Sequence, residues 1–131
     1  MPKLPSRPIP PRRERDVMGE VRTSLARLGV LSWRNNVGSL QDATGRYVQY
    51  GLAPGSADLI ACVPTVFACP HCGSPLPPVG RFVGIEVKGP NTPTRPEQFE
   101  WARLVERAHG VAGMAHNVED ARAILVRARR W

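Results

Sequence analysis

The sequence predicts an α/β fold, a mixed four-stranded sheet flanked by helices. Two apolar, strand-type runs occupy residues 58–63 and 82–87, and the second alternates with period two. Three other segments repeat apolar residues at helical spacing. The two types interleave as helix, strands, helix, strand, helix, in the order αβββαβα. That arrangement lets helices cover the faces of one sheet. At 131 residues the chain is long enough for one domain with one core.

Each element has a local reason. Residues 1–13 carry Pro2, Pro5, Pro8, Pro10 and Pro11 among arginines, which forbids a helix and predicts a flexible basic arm. The domain proper is expected over 14–131. Val17, Val21, Leu25 and Leu28 give residues 14–28 an amphipathic stripe, and Gly29 stops the helix. A hairpin follows over 31–50. Its arms are expected to be the extended stretch 30–35 and Tyr47-Val48-Gln49-Tyr50, with Asp42-Ala43-Thr44-Gly45 supplying turn signals. Residues 51–56 form a Gly/Pro loop leading into the 58–63 strand.

In the 82–87 strand, Phe82, Gly84, Glu86 and Lys88 share one face, and Val83, Ile85 and Val87 share the other. Between the two strands lies a proline-rich insertion, residues 64–80, too long for a simple turn. Thr94 and Glu97 have capping-box spacing around Pro96, and the helix they open has Trp101, Leu104, Val105 and Ala108 as its apolar stripe, ending at Gly110. A small-residue strand spans 111–115. Asn117 caps a last helix over 118–129, with Ala121, Ile124, Leu125 and Ala128 facing inward.

Lys and Arg number 18 against 11 Asp and Glu, a formal net charge of +7. A balance this basic favours a polyanionic partner, nucleic acid first. No apolar run approaches the ~20 residues of a membrane span, so no membrane partner is expected. The N-terminus lacks a signal peptide's apolar stretch, which predicts a cytoplasmic protein. An odd number of cysteines, 3, argues against a disulfide framework.

Asp58, Glu86 and Lys88 carry the chemistry. Two acids on adjacent strand-type runs can hold a hard divalent cation through oxygen, and a lysine beside them can position a water that attacks a phosphodiester. Nuclease chemistry is therefore the first hypothesis. The plainer alternatives are an aspartate that caps a turn and a structural Glu86–Lys88 pair. Gln98 is either a solvated first-turn residue or a hydrogen-bond partner of the lysine, of a water or of a phosphate. Glu20 is either a helix-surface acid or a further carboxylate for the metal.

These residues resemble the PD-(D/E)XK nuclease superfamily, and within it the VRR-NUC family. The pattern comprises a glutamate on an early helix (Glu20), Gly55 with Asp58-Leu59, Ile85-Glu86-Val87-Lys88, and a helix opening with Gln98. The resemblance implies the restriction-endonuclease-like fold and a metal-dependent DNA endonuclease, selective for structured or branched DNA. It implies that Asp58, Glu86 and the Val87 carbonyl hold Mg²⁺ or Mn²⁺, that Glu20 completes the site, and that Lys88 positions the attacking water. It also implies a phage or bacterial protein acting as a homodimer. The alternative is a non-catalytic DNA-binding module that keeps the nuclease fold.

The insertion departs from that pattern. Cys69-Pro70-His71-Cys72-Gly73 looks like a single zinc knuckle, whereas structural zinc takes four N/S ligands. Cys62 lies in a strand, and His71 sits between the two ligands. Two knuckles from two subunits would close a site; otherwise Cys69 and Cys72 hold nothing. Arg12, Arg13, Arg15, Arg34, Arg46, Lys88, Arg95 and Arg103 are candidates for phosphate contact, and the sequence does not sort them from solvated surface charges.

Overall fold

The structure, a computed structural model, describes residues 12–130. Its elements in chain order are α1 (Glu14–Arg27), β1 (Leu31–Arg34), β2 (Gly38–Gln41), β3 (Tyr47–Tyr50), β4 (Leu59–Thr65), β5 (Val79–Val87), α2 (Pro96–Arg107), β6 (Val111–Ala115) and α3 (Val118–Ala128). Four strands form a mixed sheet in the order β1-β4-β5-β6. The β1–β4 and β4–β5 pairs are antiparallel, and β5–β6, joined through α2, is parallel. The strands of this sheet and the three helices follow the expected αβββαβα order. Among the described residues no helix is long and apolar enough to cross a membrane.

Period-two alternation divides the sheet into two unlike faces. Leu59, Ala61, Val63, Val83, Ile85, Val87, Val111 and Ala115 lie on one face and are buried. Against them pack Val17, Val21 and Leu25 of α1 and Ala121, Ile124, Leu125 and Ala128 of α3. This apolar layer is the core. The α3 stripe is the expected one, and its cap is too: Asp120 N–H donates to Asn117 Oδ1 at 2.8 Å. Thr65 is also buried there, and its hydroxyl donates to the Ala128 carbonyl at 2.5 Å.

The opposite face carries Ile60, Cys62, Phe82, Gly84 and Glu86 and is only partly covered, by α2. A side chain at Gly84 would place its Cβ 2.5 Å from the Trp101 ring. Glycine is thus what lets Trp101 lie directly on β5, with Phe82 alongside at 6.1 Å between ring centroids.

Four expectations need correction. The hairpin pairs β2 with β3, from Gly38↔Tyr50 to Gln41↔Tyr47, around the expected turn. The 30–35 stretch instead contributes β1 to the main sheet, where Leu31 stands opposite Cys62. The 64–80 insertion is partly sheet, since β4 and β5 stay paired out to Thr65↔Val79. Only residues 66–78 lie beyond the two strands.

The α2 stripe is rotated. Trp101, Ala102 and Val105 are half-buried, whereas Leu104 and Ala108 are exposed, because contact with Gly84 fixes which side of the helix faces the sheet. The α2 cap lies one residue later than expected. Arg95 is the N-cap and its N–H donates to Gln98 Oε1 at 2.9 Å. Of the expected basic arm, residues 1–11 lie outside the described residues. Arg13 caps α1, its N–H donating to Asp16 Oδ2 at 3.1 Å.

Gly84→Ala is expected to lower stability by about 1–3 kcal/mol, because the added methyl overpacks the Trp101 contact. A urea-denaturation midpoint equal to that of the parent protein would contradict this packing.

Candidate functional site

Asp58 stands one residue before β4, and Glu86 lies near the end of β5. The ladder pairs Leu59 with Ile85, so continuing it by one residue sets Asp58 opposite Glu86 on the α2 face. Asp58 Oδ2 accepts the Val87 N–H at 2.9 Å. In an extended strand the N–H and C=O of one residue leave by the same edge, so the Val87 carbonyl is also turned toward β4. The Asp58 backbone is held in turn by Asn35, whose N–H donates to the Asp58 carbonyl at 2.7 Å. The Asn35 side chain fixes the loop before Asp58 by donating to Ser56 Oγ at 2.8 Å and to the Ala57 carbonyl at 2.9 Å.

Glu86 and Lys88 are 8 % and 3 % exposed. Burying either charge without a partner would cost several kcal/mol. Lys88 Nζ lies 3.3 Å from Glu86 Oε1 and donates to Gln98 Oε1 at 2.8 Å and to the Pro93 carbonyl at 3.2 Å. Gln98 Nε2 donates to Glu86 Oε1. Gln98 therefore joins acid and lysine while its Oε1 also caps α2. It reaches this position because Trp101, one turn further along α2, rests on Gly84, two residues before Glu86 on β5. Among the described residues, every buried side-chain polar atom has a partner.

Both carboxyls titrate above their ordinary range. For Asp58 the main cause is burial, opposed by the Val87 N–H and reinforced by the negative charge of Glu14. Lys88 and Arg34 pull the other way. For Glu86 the causes are burial and then the facing Asp58, with Lys88 opposing and Glu14 adding to the rise. Two carboxylates that resist ionising side by side favour an added cation.

The α1 acid near this pair is Glu14, and this corrects the expectation of Glu20. Thr92 Oγ1 donates to Glu14 Oε2 at 3.3 Å, in the loop that follows Lys88. Glu20 is exposed and ion-paired with Arg12. It lines a separate groove of about 670 Å³ between α1 and α3, with Arg27 and Arg122. That groove is larger than the cleft at the acids, but it lacks a buried charged pair, so the chemistry points to the cleft. The sequence signal for Glu14 was its register. It precedes Val17 by three residues and Val21 by seven, so although exposed it lies in line with the apolar stripe, whereas Glu20 is turned roughly 120° away from it.

The acids open to solvent through a cleft of about 230 Å³ lined by Asn35, Gly55, Ser56, Asp58, Glu86, Arg95 and Gln98, among others. No cluster of three or more His, Cys, Asp or Glu side chains at metal-binding spacing occurs among the described residues. The donor set nevertheless fits a hard cation such as Mg²⁺, which needs only one or two carboxylates and takes its remaining oxygens from carbonyl, water and substrate. Asp58, Glu86, Val87, Lys88 and Gln98 are thus brought together. Glu20 is not, nor are Cys69 and Cys72, which lie at the far end of the β4–β5 hairpin. Compared with known proteins, the chain matches no family model, no curated protein and no solved structure.

The raised carboxyls set a pH dependence. Between the ordinary carboxylate pKa and the raised folded value, the folded state binds more protons than the unfolded state. Stability therefore falls as pH rises through that window, and the penalty is complete above it. In EDTA, Asp58→Asn is expected to be more stable than the parent at pH 7, with the difference shrinking as the pH falls below the carboxylate range. An Asp58→Asn protein that is less stable at pH 7 in denaturant titrations would contradict the electrostatic origin of the shift.

Proposed function

We propose that this protein is a metal-dependent DNA endonuclease of the PD-(D/E)XK type, akin to the VRR-NUC family. One observation carries the proposal: Asp58 faces Glu86 across adjacent strands, with Lys88 held beside them by Gln98. Asp58, Glu86 and the Val87 carbonyl hold Mg²⁺, or Mn²⁺ in its place, and Glu14 adds negative charge from α1. When bound, the ion supplies Lewis acidity toward a phosphoryl oxygen and acidifies water.

The chain's own groups do the rest. Lys88, a cation fixed by Gln98 and Pro93, orients the attacking water and faces the negative charge that grows on the phosphate. Gln98 keeps the ammonium from collapsing fully onto Glu86. Arg95 at the cleft and Arg34 near Asp58 offer positive charge to the flanking phosphates. The net charge of +7 draws in the polyanion. Branched or otherwise structured DNA is the proposed substrate, and a cytoplasmic homodimer the proposed working form.

Cleavage of branched and duplex DNA in Mg²⁺ is expected to stop in EDTA. It should fall by about 10²–10³-fold or more in Asp58→Asn and Lys88→Ala. Asp58→Asn is the decisive variant, because loss of cleavage there cannot be laid to loss of folding if the protein is also more stable. Full cleavage by that variant overturns the proposal. Retained DNA binding with no cleavage by the parent protein in any divalent metal identifies a non-catalytic DNA-binding module instead.

Mg²⁺ is expected to raise the melting temperature of the parent protein. At about 100 times its Kd the gain is about 2.7 kcal/mol, and Asp58→Asn should show much less. An equal Mg²⁺ response in both proteins would place the metal elsewhere.

A further inference from the structure

The Cys69-Pro70-His71-Cys72-Gly73 segment takes no part in the cleft. It forms the tip of the β4–β5 hairpin, and a short stem holds it there. Leu76 N–H donates to the Phe67 carbonyl at 3.0 Å, Ala68 bridges Pro75, and Cys69 N–H donates to the Ser74 carbonyl at 2.8 Å. The turn closes with Gly73 N–H on the Cys69 carbonyl at 2.8 Å. Gly73 has φ +72°, which glycine adopts without Cβ strain.

This fold-back, closed by Gly73 N–H on the Cys69 carbonyl, sets Cys69 and Cys72 within one tight turn. Cys72 Sγ also lies 3.3 Å from Ser74 Oγ. Cys72 is exposed and Cys69 half-buried. The tip therefore carries two cysteines on one turn, at least partly open to solvent.

A zinc ion bound by thiolates takes four ligands in structural sites. Among the described residues, no third Cys, His, Asp or Glu joins the pair at metal-binding spacing. Cys62 is set back on β4, opposite Phe82 and against Gly80. The pair is half of a ligand set, and a two-fold axis produces the other half from an identical chain.

We propose that one Zn²⁺ joins two copies of this chain at their hairpin tips, each copy supplying the thiolates of Cys69 and Cys72. Four thiol protons leave to solvent as the ion binds. The resulting tetrathiolate centre carries two negative charges, which offset part of the repulsion between two chains of +7 each. Val66 and Val79, exposed at the base of the same arm, supply apolar surface for the contact. The site takes the homodimer of the proposed function as its premise but is independent of nuclease chemistry.

The test combines light scattering with zinc analysis on the full chain purified with Zn²⁺ under reducing conditions. A dimer holding about one zinc per two chains is expected. Chelation should convert it to a monomer, as should Cys69→Ser or Cys72→Ser with circular dichroism unchanged. Replacement of zinc by Co²⁺ should give the visible bands of tetrahedral thiolate ligation at the same ratio. If the serine variants fail to fold, chelation and Co²⁺ substitution of the parent protein decide the matter.

One zinc per monomer overturns the proposal. So does a zinc-free dimer that persists in the serine variants, or a Cys69–Cys72 disulfide seen as a two-hydrogen mass loss in reducing buffer. Asp58→Asn should dimerise and bind zinc like the parent protein. Failure at the cleft and failure at the tip are therefore separable.

Discussion

Glu86 and Lys88 must leave water together, and much of the α2 side of this protein follows from that. Glu86 lies on β5, on the face opposite the apolar core, Lys88 follows directly after the strand, and both are buried. Neither is tolerable there alone, since removing one partner of a buried ion pair typically costs about 3–5 kcal/mol. The group that completes their bonding is Gln98, so the first turn of α2 has to sit over the end of β5. That placement needs Trp101 close against the sheet, and Trp101 needs Gly84. One glycine, one aromatic ring and one amide thus form a chain of dependence that ends at the two charges.

The two faces of the sheet divide the work. Because strand side chains alternate, the same β5 gives Val83, Ile85 and Val87 to the α1/α3 core and Gly84 and Glu86 to the cleft. The core face supplies the burial that stabilises the domain. The cleft face can then carry a destabilising feature, two partly desolvated carboxylates facing each other with Glu14 close enough to add to their repulsion. Clustered charge of this kind is poor for stability and well suited to a cation. Asn35 holds both the Asp58 backbone and its preceding loop, while the Glu86 carboxylate is held by the side chains of Gln98 and Lys88.

The β4–β5 hairpin also separates two chemistries. The nine residues of β5 run from Val79 at the cysteine arm to Val87 at the acids, a span of roughly 26 Å in an extended strand. Carboxylates gather at one end and cysteine thiols at the other.

The sequence by itself determined the order of the helices and main-sheet strands, the core stripe of α3 and the Val17, Val21 and Leu25 stripe of α1, because these follow from local periodicity and capping, whereas Leu28, expected to join that stripe, is exposed. It also signalled that Glu86 and Lys88 need partners, because a Glu-x-Lys in an otherwise apolar strand cannot be buried alone, while the grouping with Asp58 and Gln98 came from the resemblance to a nuclease pattern. Tertiary structure decided the rest. Leu31 and Trp33 joined the main sheet rather than the hairpin, since strand pairing depends on which edge is free to accept a partner. The inward side of α2 was set by contact with Gly84 and not by the helix's own stripe, so Leu104 stayed outside. Glu14 took the place expected for Glu20, because the loop after Lys88 passes over the first turn of α1, a proximity between residues 78 positions apart. Local spacing records which face a side chain occupies, and only packing decides what that face meets.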